Sequence, residues 1–244
     1  MKKYLSIFAL IAQNSIYRIL GVLALLTAAD AALAWYHLVY RGYGIENLFF
    51  SAGIGIILMI AFILMAFVLF RYGDIYSGTQ SYTMLRLGIS ERAVFGLQIL
   101  YCGFCWFILW GMQLAIAIAV CKIYFASPAV SEDPLNSQHI FLLFYTKPLL
   151  HSLLPMEDIL AWIANLCMVG ALGVTTAYCI AGHKDKERTA QLFSTCMLVG
   201  LLFCRELGEF IMNIAIIACC MLDMAVYTYR GLFPKKKKGG GEYA

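Results

Sequence analysis
The residues whose types and spacing could do chemistry are few. Cys102 and Cys105 have the spacing of a redox motif or half a metal site. No second pair and no nearby His completes such a site, and Ile99, Leu100, Trp106 and Phe107 around the pair make both cysteines small hydrophobes in an apolar run. The nine cysteines lie almost wholly within apolar stretches, and an odd number so placed is not a disulfide framework. His139 and His151 share one connecting stretch but stand twelve residues apart with no cysteine beside them, so they read as loop or interface histidines. The chain contains no G-x-x-x-x-G-K-[ST], no H-E-x-x-H and no G-x-S-x-G. It is therefore expected to bind no nucleotide in the P-loop manner, to need no cofactor or metal of its own, and not to be an enzyme.

Ionisable residues in apolar surroundings remain. A charge at the centre of a membrane helix costs about 2.5–3.5 kcal/mol on insertion scales, so Asp30 and Asp223 must face protein or water. Either acid could line a path or pair across helices. Asp223 could instead reach toward an interface near Tyr227 and Arg230. Arg205, Glu206 and Glu209 form the tightest charge cluster beside an apolar segment, which reads as a gate or exit-site lining or as a solvated link. These five are the candidate pathway or gate residues.

The elements that must position them follow from composition. Of 244 residues, 62% are hydrophobic and 13% charged, with a mean hydropathy of +0.80, which describes a polytopic membrane protein and not a soluble domain. The net charge of +4 is spread between apolar spans and ends in four lysines at 235–238, a distribution suited to membrane lipids and not to nucleic acid. A span needs about 20 apolar residues. We expect an all-α fold with six transmembrane helices at approximately 16–39, 48–70, 94–121, 158–181, 189–204 and 209–229. The fifth is short, so spans five and six could form a broken or re-entrant pair meeting at 205–209. Residues 1–233 form one transmembrane domain, and 234–244 a basic flexible tail. Tyr4, Ile7, Phe8 and Ile11 repeat with helical spacing and predict an interfacial helix leading into the first span, or simply that span's beginning.

Fourteen of the eighteen Lys and Arg fall on one side of this layout, which places both termini and the 71–92 connector in the cytoplasm of a plasma-membrane protein. The outer connector has a turn-rich part at 127–134 and an apolar part at 141–154, interrupted by Lys147 and Pro148, that is expected to cap the outer leaflet. The 71–92 connector is polar yet held near the membrane. Helix formers fill 81–87, Gly88 is a helix stop, and Ser90 is a fresh N-cap.

This connector resembles that of the export-type, type-2 permeases of ATP-binding-cassette transporters. The matching residues are Asp74, Gly78, Thr79, Tyr82, Met84, Leu85, Leu87, Gly88, Ile89, Ser90 and Arg92, with Gly88 where that family usually has Pro, and Glu91 intervening before Arg92. The resemblance implies a homo- or heterodimeric permease whose 78–92 segment is a cytoplasmic coupling helix between spans two and three. That helix would sit on a separate ATP-binding subunit carrying ATP and Mg. Arg86, Glu91 and Arg92 would set the register of the contact, and Leu85, Leu87 and Ile89 its apolar area. The expected function is ATP-driven export of an amphipathic, peptide or lipid-like cargo. An ion-coupled secondary transporter using the intramembrane acids, or a non-transporting membrane immunity or scaffold protein, are the other readings.

Overall fold
In lipid, a backbone can satisfy its polar groups only internally. Every element among the described residues is accordingly an α-helix. The computed structural model describes residues 2–37, 52–73, 90–125, 136–156, 158–182, 186–203 and 210–233. They build α1 (Lys2–Trp35), α2 (Ala52–Tyr72), α3 (Glu91–Phe125), α4 (Asn136–Thr146), α5 (Pro148–Leu153), α6 (Ile159–Ala181), α7 (Lys186–Leu202) and α8 (Phe210–Leu232). Five of these, α1 from Ser15 onward, α2, α3, α6 and α8, are long and apolar enough to cross a membrane. Large apolar side chains such as Leu20, Ile60, Leu100, Phe104, Ile211 and Leu222 point outward from them, as a surface facing hydrocarbon requires. The chain is a polytopic helical membrane protein.

Three expectations change. The described residues hold five such helices, not six: the fifth expected span corresponds to α7, which has 17 residues and opens on Lys186, Glu187 and Arg188. Its last turn ends inside the protein, because Phe203 is fully buried and stacks on Phe62 with ring centroids 5.8 Å apart. Phe62 is the midpoint of α2, so α7 stops about halfway along its neighbour. Second, the N-terminal segment is no separate interfacial helix. α1 runs unbroken for 34 residues, about 50 Å at 1.5 Å per residue. Nothing between Lys2 and Arg18 is a Pro or Gly, and the polar Ser15 satisfies its hydroxyl by donating to the Ile11 carbonyl at 3.2 Å. Third, the apolar stretch 141–154 lies only partly at the surface: Phe141, Leu142 and Tyr145 of α4 are exposed, and its later part turns inward. Pro148 cannot continue α4, so it starts α5 at the first helical position. Leu150 and Leu153 of α5 are then buried within the protein.

α6 is the central helix. It packs on α3, α7 and α8, and all ten residues from 171 to 180 are buried. Its crossing with α3 brings backbones together: a Cβ placed on Gly173 would stand 2.8 Å from Gly103 Cα, a distance no side chain tolerates. Beside this crossing, Trp106 Nε1–H donates to Thr176 Oγ1 at 3.1 Å, and Thr176 donates onward to the Leu172 carbonyl at 2.6 Å. α1 pairs with α2 and also packs on α3, and α2 packs on α7.

Candidate functional site
Three polar regions are built on this frame. The first is buried. Asp30, on the lipid-depth part of α1, is 3% exposed, and neither carboxylate oxygen has a hydrogen-bond partner. The Gln113 side chain of α3, 1% exposed, lies beside it, with its own Oε1 unpartnered. A carboxyl and an amide group thus sit together in an apolar interior, an arrangement suited to a proton, a cation or a polar substrate group. Asp223 is not brought to this place. It is half-buried on α8, a helix that packs chiefly on α6, one turn from Tyr227, as an acid reaching for an interface would be.

The second region lies at the basic end of the bundle, where the 71–92 connector leaves α2 and enters α3. Gly73 ends α2 by donating its N–H to the Leu69 carbonyl at 2.8 Å. The Gly73 carbonyl in turn accepts from Nε2 of the fully buried Gln98, also at 2.8 Å. Ser90 does cap α3: the Ala93 N–H reaches its hydroxyl at 3.4 Å and its carbonyl at 3.0 Å. Glu91 in the first turn complements the helix dipole. Ser90, Glu91 and Arg92 line a cleft of about 630 Å³ with Phe95, Tyr178, Arg188 and Arg230. Of the expected coupling residues, Gly78, Thr79, Tyr82, Leu85, Arg86, Leu87, Gly88 and Ile89 lie outside the described residues.

The third region is at the far side of the core, where α5 meets the end of α7. The Ser152 hydroxyl, which donates to the Leu149 carbonyl at 2.9 Å, also stands against the Phe203 carbonyl just past the last turn of α7. The Ser152 carbonyl accepts from Asn165 Nδ2 of α6 at 2.6 Å, and the Leu153 carbonyl accepts from Trp110 Nε1 of α3 at 3.2 Å. α5 is therefore a plug tied to α3, α6 and α7. Arg205, Glu206 and Glu209 lie outside the described residues, between Phe203 and Phe210. Nearby, Asp158 caps α6 by accepting from the Leu160 N–H at 2.8 Å and also accepts from Asn213 Nδ2 of α8 at 3.0 Å.

Among the described residues no group of three or more His, Cys, Asp or Glu could hold a metal, and Cys102 and Cys105 are buried free thiols in the packed interior of α3. Sequence reasoning passed over Gln98, Gln113, Ser152, Asn165, Arg188 and Arg230 as functional positions. A rule that every amide within an apolar run must find a partner would have picked out Gln98, Gln113 and Asn165. No family model matches this chain, and no curated protein and no solved structure matches it.

Proposed function
We propose that this chain is the membrane-spanning permease subunit of an ATP-driven exporter of the ATP-binding-cassette type. In this reading it works as a dimer with a second permease copy or a homologous one, and moves an amphipathic, peptide or lipid-like cargo across the plasma membrane. The energy-coupling part draws on the resemblance of 78–92 to a coupling helix, with the basic end of the bundle cytoplasmic. The observation that carries it is the Gln98–Gly73 clamp. The connector leaves α2 at Gly73 and re-enters the protein at Ser90, and a buried amide from α3 holds the exit point. A push on 78–92 from a partner would therefore move α2 and α3 together instead of being absorbed by a loose helix end. Such a partner must contact the connector differently in its two nucleotide states, since only differential binding shifts a conformational equilibrium.

Co-expression of the tagged chain with a P-loop ATPase encoded beside it, followed by co-purification, tests this. The two are expected to purify together. Gly88→Trp and Arg92→Glu are expected to abolish ATP-dependent activity while the chain still reaches the membrane. If no ATPase accompanies the chain, or both variants keep full ATP-dependent activity, the coupling reading fails.

Asp30 favours a second reading, an ion-coupled transporter that needs no partner, because a buried carboxyl group beside the Gln113 side chain is suited to carrying a proton or cation. Transport driven by an ion gradient in vesicles holding this chain alone separates the two.

A further inference from the structure
The cleft at the basic end holds more positive charge than a contact with one coupling helix would use. Its three arginines come from three different helices: Arg92 from the first turn of α3, Arg188 from the first turn of α7, and Arg230 from the last turn of α8. Charge repulsion alone would spread such side chains apart. Two of them are held against aromatic faces: the Arg188 guanidinium lies 4.3 Å from the centre of the Tyr178 ring, and that of Arg92 lies 4.8 Å from the centre of the Phe233 ring. The Tyr178 ring is itself fixed against Tyr227, with centroids 5.2 Å apart. All three arginines line one open space, and the Ser90 hydroxyl adds a donor on one side.

We infer that this cleft binds a phosphate group. Guanidinium forks arriving from several directions match the several acceptor oxygens of a tetrahedral phosphate better than the two of a carboxylate. A volume of about 630 Å³ exceeds what a bare anion needs and accommodates a substituted phosphate. Glu91 on the same wall accepts from a hydroxyl or amine carried by that substituent. Farther along the two helices that carry Arg92 and Arg230, Leu100 and Phe104 of α3 and Leu222 of α8 are exposed, so these helices offer apolar surface to acyl chains attached to the phosphate. Two sources share this chemistry, a phospholipid headgroup and a soluble phosphate compound. The site stands independently of the ATPase reading, because it uses only this chain.

The test uses the full-length chain purified into lipid nanodiscs, without any partner. Wild-type protein is placed in phosphatidylcholine with or without phosphatidylglycerol, stripped with mild detergent, and the retained lipid is identified by mass spectrometry. Phosphatidylglycerol is expected to be retained in preference. In Arg188→Gln/Arg230→Gln its affinity should fall by about fivefold for each arginine removed. Arg188→Lys/Arg230→Lys should lie between the two, keeping charge but losing the fork. If inorganic phosphate at millimolar concentration displaces the lipid or, without lipid, raises the melting temperature of wild type only, the source is soluble phosphate and the site stands. If the glutamine variant does not fold, wild type decides: no preference for phosphatidylglycerol and no response to phosphate overturns the proposal. Equal retention by a folded glutamine variant overturns it too.

Discussion

Asp30 is the residue whose environment costs the protein most. A carboxylate with two unpartnered oxygens at lipid depth is destabilising whether it is kept charged or takes up a proton. Asp30→Asn keeps the shape and removes the charge. It is expected to raise thermal stability in detergent, by about 1–3 kcal/mol, while lowering transport in vesicles. A variant that is more stable and fully active would show that the acid has no part in the pathway. Ser152 makes the opposite case. Ser152→Ala removes the hydroxyl that donates to the Leu149 carbonyl and stands against the Phe203 carbonyl, and losing this tie is expected to cost about 0.5–1.5 kcal/mol. Thermal unfolding followed by circular dichroism reads this directly.

At the scale of elements, the α3–α6 crossing and the Gln98 clamp give separable effects. Gly173→Val places a side chain where the Gly103 backbone already lies. It should force the two helices apart, at a cost of about 1–3 kcal/mol or more, and lower the melting temperature. Gln98→Leu removes the donor to the Gly73 carbonyl while filling similar space. On the exporter reading, the variant should still bind an ATPase partner, but ATP hydrolysis should no longer respond to cargo, which a steady-state ATPase assay on the complex would read. Four of the six expected spans were legible because runs such as those of α2 and α6 have no other way to satisfy their backbone than a membrane helix. The interior of α1 was legible as well, but not its continuity back to Lys2, because the amphipathic spacing of Tyr4 to Ile11 fits a surface helix and the start of a span equally. The inward turn of α5 was not legible because its hydrophobicity is the same on a membrane surface and in a core. Only the tertiary partners Trp110, Asn165 and Phe203 decide between them. Asp30 was legible from the sequence alone, whereas Gln113 and the convergence of Arg92, Arg188 and Arg230 depend on which helices become neighbours.

At the scale of the whole molecule, a continuous apolar exterior encloses a core pinned by a few polar ties. At one end α3, α7 and α8 bring basic side chains together, and at the other α5 closes on the end of α7. On the exporter reading, one end would receive a push and the other release cargo, and the 78–92 segment would join the first to its energy source. Site-specific photo-crosslinking in native membranes tests that link most directly, with the reactive group placed in turn at Leu85, Arg86 and Ile89. We predict capture of a P-loop ATPase from at least one of these positions, with a yield that changes between ATP and ADP. Capture of lipid alone from all three, in either nucleotide, would contradict the proposed coupling.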